Sequence, residues 1–459
     1  MSEEAKHNQT SKEIDMNYTD LTKKLVRKCL TLGADAAEVY LETSRNMSVN
    51  ILNKEIETIE EASSQGVGFR VFTEGKMGFS HCNDFSDKAL EDTIARAIAF
   101  AKLATADENN ILPDEKSMTP VSDLYDPSIK GEPVDKKIKM ALELESLAMS
   151  APGITKSSGA GYSEGESEVF IGNSNGIIKS YKSSGCSLGV SVVAEKGDQK
   201  NTGDEYCSRV FFSDLLPLNL IAASASSKAV ELLDPVMIGT QRAAVIFDPD
   251  VVRSLFGGVI SALNGERVLQ GASFLKDFLN RQFASSLITI IDDPTLARSM
   301  GSAPFDGEGV PTRKIVLVEN GTVKSFIYNS KAAKRAGTKS TGNATRGGFT
   351  SLPGIGTHKT YIQPGKSSPE EIIAATRKGL LLKEVTGYGV DPVSGNFSGG
   401  ASGLWIVNGE IAHPVKGVTI AGRASDIFNA IDMAGNDTDM NRSFAAPTIR
   451  VAEMMIGGK

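Results

Sequence analysis

The chain carries four histidines, His7, His81, His358 and His413, and no two of them stand three or four positions apart. A helical zinc site needs two imidazoles on one face, so an H-E-x-x-H centre is excluded. Four cysteines, Cys29, Cys82, Cys186 and Cys207, are scattered without a C-x-x-C spacing, the pattern of reduced thiols rather than of a zinc ribbon or a disulfide framework. Gly172-Asn173-Ser174-Asn175-Gly176 matches the G-x-S-x-G pattern of a serine-hydrolase elbow, with His358 or His413 as the available bases. That chemistry requires a strand-to-helix turn, whereas Ile177-Ile178-Lys179-Ser180-Tyr181 reads as a strand returning from a hairpin. A serine hydrolase using Ser174 stands as the alternative enzyme reading.

Acidic residues gather at Asp292, Asp293, Asp306 and Glu308, but without the spacing of an EF-hand loop. Asp-Pro and Asp-Gly are common turn chemistry, so turns are predicted there. The segment from Thr338 to Gly348 is dense in donors, rich in glycine and nearly free of apolar residues. Such a stretch makes a poor core but a good rim for a peptide main chain, which presents alternating N–H and C=O groups; an unliganded surface loop fits the same composition. Gly365-Lys366-Ser367 resembles the end of a phosphate loop, yet Thr360 replaces its first glycine and Pro364 removes a backbone donor. Gly66-x-Gly68 and Gly387-x-Gly389 lack the third glycine of a dinucleotide fingerprint and read as strand glycines.

A net charge of −7 over 459 residues opposes a nucleic-acid surface, which needs a concentrated basic face. The basic runs Lys331-Ala332-Ala333-Lys334-Arg335 and Thr22-Lys23-Lys24 are short and read as solvated helix faces. No apolar run approaches the ~18 residues that span a bilayer, and the polar start Met1-Ser2-Glu3-Glu4 lacks a signal-peptide core. A cytoplasmic protein without nucleic-acid or membrane partners is predicted. Hydrophobic residues at 40% supply a core, and 45 glycines against 6% aromatics predict many turns and much β structure.

Residues 1–16 read as a disordered leader. A helix follows with Leu21, Leu25, Cys29 and Leu32 on one stripe and Gly33 at its end. Alternating runs at 37–42 and 48–52 read as strands, and 66–72 with 76–80 read as a hairpin about Glu74-Gly75. Stripes at Leu90, Ile94, Ile98 and at Val134, Ile138, Ala141, Leu144 predict two helices separated by a proline-rich linker. Further strands flank Asn175-Gly176, and an alanine-rich helix from about 213 to 233 closes the first half at Asp234-Pro235. In the second half Asn320-Gly321 and Asn408-Gly409 are hairpin turns, with strands 314–318 and 322–328 about the first. Short helices are predicted near 249–263, 368–377 and 424–432. The fold class is therefore α+β: an N-terminal antiparallel sheet packed with helices over 17–235, then a β-dominated, barrel- or sandwich-like C-terminal domain over 236–459.

Several of these stretches, in this order, resemble the TldD/PmbA family of cytosolic metallopeptidases. The boxes are Gly33-Ala34-Asp35-Ala36-Ala37-Glu38-Val39, Gly66-Val67-Gly68-Phe69-Arg70, Ile291-Asp292-Asp293-Pro294-Thr295, Gly301-Ser302-Ala303-Pro304-Phe305-Asp306-Gly307-Glu308-Gly309 and Ser340-Thr341-Gly342-Asn343-Ala344-Thr345-Arg346. The tail boxes Gly395-Asn396-Phe397-Ser398-Gly399-Gly400, Thr419-Ile420-Ala421-Gly422 and Ala446-Pro447 are similar to the PmbA branch, also called TldE. Catalytic relatives carry a His-Glu-x-x-x-His helix for zinc; by the order of matching residues, Gly257, Gly258 and Ala262 stand at those places. The thiolate that those relatives draw from their C-terminal part has no counterpart beyond Cys207. Zinc lowers the pKa of its water from about 15.7 to about 7, so its loss forfeits roughly 12 kcal/mol of nucleophile activation at neutral pH.

The resemblance implies a subunit without cofactor or catalytic residue of its own. It would pair with a zinc-bearing TldD-like catalytic subunit as a heterodimer, or with itself as a homodimer, around a chamber that admits unfolded peptides. It also implies a part in proteolysis of peptides or small unfolded proteins, along with the family label "modulator of DNA gyrase", to which nothing in an acidic sequence points. It tips the donor-rich segment toward substrate contact, with Thr341, Gly342, Asn343 and Arg346 as the peptide-contact candidates. A peptide-binding homodimeric scaffold is a further reading.

Overall fold

The computed structural model describes residues 17–458, so the expected leader lies outside the described residues. Helix α1 (Tyr18–Thr31) starts where the Asn17 side chain accepts from the Asp20 N–H, and it buries Leu25, Val26 and Cys29. Leu32 falls past the last turn as the C-cap and stays exposed, because Gly33 takes a φ of 107° and turns the chain away. Strand β1 (Ala36–Leu52) is one element of 17 residues where two short strands were predicted. The polar stretch between the two runs belongs to the ladder, since its even-numbered residues face away from the helices.

Strands β2 (Glu55–Thr73) and β3 (Lys76–Cys82) form the predicted hairpin, with Glu74 and Gly75 at φ 53° and 74°. Helix α2 (Asp87–Leu103), the single turn α3 (Ser128–Gly131) and α4 (Val134–Met149) precede strands β4 (Ile154–Asn173), β5 (Ile178–Lys196) and β6 (Gln199–Arg209). The six strands run in the order β3-β2-β1-β4-β5-β6, antiparallel throughout. Helix α5 (Leu218–Glu231) is shorter than predicted because Pro217 fixes its start. All four long helices cover one face of the sheet: α1 and α2 pack on Val39, Leu41 and Phe69, while α4 and α5 pack on Leu188, Val190 and Val192.

After α5, strand β7 (Gln241–Phe247) opens a second sheet. It lies parallel to 378–386 and antiparallel to 449–457. The strand 410–423 pairs with 396–407 on one side and, through Thr419–Ala421, with 449–457 on the other, so the ladder closes into a barrel. Helix α6 (Pro249–Ala262) packs Val252, Phe256 and Val259 into this barrel's core beside Phe428. Both Asn-Gly hairpins form: Asn320 and Gly321 have φ 46° and 78°, Asn408 and Gly409 have 51° and 84°. The strand after Gly321 keeps only Thr322–Val323 in the ladder. Lys324 and Ser325 both donate to Leu317, and Ile327 leaves to donate to Leu263 at the end of α6. The short helices appear as Pro369–Ala374 and Ala424–Asn429. Among the described residues no helix is long and apolar enough to cross a membrane.

Candidate functional site

Alternation along β1 sends Val39 and Leu41 to the helices and Glu42, Ser44, Asn46 and Ser48 to the opposite face. Cross-strand register then assembles rows of small polar residues. Ser44 lies beside Ser167 and Ser167 beside Ser183; Ser48 lies beside Ser163, Ser163 beside Ser187, and Ser187 beside Ser208. Between these rows runs Asn46, Gly165, Gly185. The hydroxyls of Ser167 and Ser183 lie 3.1 Å apart, and Ser208 donates to Ser187 at 3.0 Å. This serine and glycine platform is the floor of a cleft of about 810 Å³, within the range of ligand sites. Sequence reading passed over it; the signal was the alternation Ser44-x-Asn46-x-Ser48, Ser163-x-Gly165-x-Ser167 and Ser183-x-Gly185-x-Ser187.

The second half supplies the roof. Residues 299–303 and His358 line the cleft, and the Met300 Sδ and Cε lie 3.4 Å from the place a Cβ on Gly185 would take. Gly301, at φ 89°, lies so close to the 358–359 backbone that a Cβ there would meet the His358 carbonyl at 2.6 Å. His358 is fixed twice: its N–H donates to Asp292 Oδ1 at 2.9 Å and its Nε2 donates to the Gly342 carbonyl at 2.9 Å. Asp292 is fully buried, and burial raises its pKa although His358 and the Asn343 amide, at 2.8 Å, oppose the shift. Lys359 donates to the Arg442 carbonyl, and burial pushes its ammonium down to about 8.

A buried charge network ties floor to roof. Arg70 on β2 donates to Glu38 on β1 at 2.6 Å and to Glu308 at 3.0 Å; Arg346 donates to the second Glu38 oxygen. Glu308 accepts from the Ser330 N–H at 2.7 Å. Asp306 accepts from the amides of Glu308, Val310 and Ala344 at 2.9, 3.0 and 2.9 Å, while burial first and Glu308 second push it up to about 7. The acidic cluster thus does make the predicted turns through Asp306 and through Asp293, which accepts from the Thr295 amide, while Glu308 pairs across the two halves. The glycines of β2 complete the junction: a Cβ on Gly66 would lie 2.2 Å from the Phe349 ring, and one on Gly68 would lie 2.3 Å from the Phe349 carbonyl.

The four peptide-contact candidates fall close together, in different states. The Arg346 guanidinium is enclosed, bonded to Glu38 and to the carbonyls of Gly307 and Ser351, and stacked over Tyr40. Asn343 is buried beside Asp292, with its Oδ1 unpartnered. Thr341 Oγ1 accepts from the Tyr328 amide. Gly342 touches the cleft wall through its carbonyl bond to His358. Ser174 sits in a strand-to-strand turn, where its Oγ accepts from the Ala37 amide; His358 and His413 are instead bonded to the Gly342 and Pro414 carbonyls.

The three residues that the resemblance sets against the zinc ligands of catalytic relatives do not fit a metal. Gly257 and Gly258 lie in α6 and offer no donor side chain, and Ala262 is a buried methyl. Backbone has closed in on one of them: a Cβ on Gly258 would meet the Val390 carbonyl at 1.9 Å. Among the described residues no group of three or more His, Cys, Asp or Glu side chains could hold a metal ion.

A helix-backed antiparallel sheet whose other face is roofed by a β-barrel half is the architecture this chain shares with proteins of one metallopeptidase family. Sequence models for the PmbA/TldA metallopeptidase domain 1, central domain and C-terminal domain match residues 37–101, 127–233 and 240–458. The chain is 30% identical over 430 residues to a protein of Escherichia coli O157:H7 named metalloprotease PmbA, covering 93% of each. It belongs to the PmbA/TldD metallopeptidase family. A crystal structure from Bacteroides thetaiotaomicron, described as a candidate modulator of DNA gyrase, superposes with TM-score 0.88 at 26% identity, covering 96% of this chain and 98% of that one. TldE from Thermococcus kodakarensis shares the fold, with TM-score 0.85 at 24% identity over 95% of this chain and 99% of that one. Relatives named TldD also fall within the family.

Proposed function

We propose that this chain is a TldE/PmbA-like subunit of a cytoplasmic two-component metallopeptidase, shaping the chamber for peptides or small unfolded proteins while a zinc-bearing TldD-like partner cleaves them. The observation that carries this reading is the helix α6, where Gly257, Gly258 and Ala262, the residues the resemblance sets against zinc ligands, offer no donor side chain and the Val390 backbone fills the space beside Gly258. Without a metal, a water molecule at neutral pH lacks about 12 kcal/mol of activation. The cleft itself is roofed and floored with rows of serine hydroxyls, which suits an extended main chain. Of the candidate quartet, Gly342 is bonded through its carbonyl to the cleft-lining His358, which supports a role for it in peptide contact; Thr341, Asn343 and Arg346 would support the wall. The test is peptide hydrolysis by the purified chain: no cleavage is expected, whereas cleavage that survives a chelator refutes the proposal.

A further inference from the structure

The polar groups of the cleft are not all satisfied, and the unsatisfied ones share a place. Ser299 and Ser302 line the roof at 7% exposure each, and both hydroxyls lack a hydrogen-bond partner. A buried hydroxyl left unpaired costs about 1–3 kcal/mol, so a ligand that pairs it gains what the empty fold forgoes. The floor opposite carries rows of serine hydroxyls, which both donate and accept, as a peptide main chain does.

Charge in the cleft is unevenly neutralised. Glu164 is paired with Arg45 and Lys137, and Glu166 with Lys182. Glu42, half-buried beside the Ser44–Ser167–Ser183 row, has no cation partner among the described residues and accepts only from the Phe349 backbone. Burial raises its pKa from the ordinary carboxylate value, because no neighbouring cation offsets the desolvation.

We propose that Ser299, Ser302 and Glu42 form a subsite that grips the main chain of an extended peptide through the two hydroxyls and holds one ammonium or guanidinium group of that peptide against the carboxylate. This rests on the subunit reading above and adds the substrate feature that the chain selects. The cation can be a basic side chain or a free α-amino group, and the two sources are separable.

The test is binding of short, C-terminally labelled, unstructured peptides to the full chain, alone and with its zinc-bearing partner, read by fluorescence anisotropy. One peptide has a lysine and an acetylated N-terminus, one has a free N-terminus and no basic residue, and one has neither. S299A/S302A should weaken all three by about three- to tenfold, the scale of one or two net hydrogen bonds. Glu42→Gln should weaken only the peptide whose cation the subsite reads, by about three- to tenfold, and spare the uncharged one. Because the serine changes delete unpaired hydroxyls, thermal stability should hold or rise, which separates lost binding from lost folding. Unchanged affinity in S299A/S302A, equal weakening of all peptides by E42Q, or no binding in either setting overturns the proposal. None of these results bears on which subunit carries the metal, so the subunit reading stands or falls separately.

Discussion

Replacing Arg70 by Met is the sharpest probe of how the two halves hold the cleft. Methionine keeps the apolar stem and loses every donor, so Glu308, fully buried, would retain a single N–H partner, from Ser330. Glu38 keeps its bond to Arg346, so one carboxylate and not two is stranded. Breaking a buried pair costs about 3–5 kcal/mol when the other charge stays behind. Arg70 Nε has no partner in the intact protein, and deleting that buried donor returns about 1 kcal/mol. A net loss of about 2–4 kcal/mol follows, measurable by urea unfolding. One further sign belongs to the mechanism. The double variant R70M/E308Q should be more stable than R70M by about 1 kcal/mol or more, because the stranded charge is gone. A loss below about 1 kcal/mol, or a double variant weaker than R70M, would refute the reasoning.

Gly68→Ala should destabilise by about 1–3 kcal/mol, since its Cβ would lie 2.3 Å from the Phe349 carbonyl and backbone must move; urea titration decides, and a neutral result would show that the 346–351 loop is not seated on β2. Lys359, pushed down to about 8 by burial, binds fewer protons folded than unfolded between that value and its ordinary one near 10.5. Its contribution therefore makes stability rise with pH through that window, and Lys359→Met should remove this rise relative to wild type in thermal melts; identical pH slopes count against it. The chain should resist labelling by a fluorophosphonate probe, because the Ser174 hydroxyl accepts from the Ala37 amide and no histidine among the described residues bonds it. Labelling that S174A abolishes would restore the hydrolase reading.

What the sequence disclosed was what short-range physics determines. Glu74-Gly75, Asn320-Gly321 and Asn408-Gly409 mark their hairpins because positive φ at two adjacent residues is a local demand. Helices α2 and α4 announce themselves through apolar stripes that survive in the core as Leu90, Ile94, Ala141 and Leu144. That α6 carries Gly257, Gly258 and Ala262 and no imidazole was legible too, since residue types need no fold to be seen. The cleft floor was not, because it exists only once β1, β4, β5 and β6 pair in register, and each strand alone shows merely a run of serine and glycine. Nor could local chemistry tell that Glu308 turns to Arg70, 238 positions away, or that the Arg346 guanidinium is enclosed by Glu38. Gly66 and Gly68 read as strand glycines, and their purpose, the seat of Phe349, comes from the far half of the chain.

The measurement that bears most directly on the account is metal content of the chain purified alone and after co-purification with a TldD-like relative, by mass spectrometry of native complexes. The account predicts a metal-free chain that acquires neither zinc nor peptidase activity by itself, and a complex in which zinc follows the partner. Zinc bound stoichiometrically to this chain alone, at α6 or elsewhere, would contradict it.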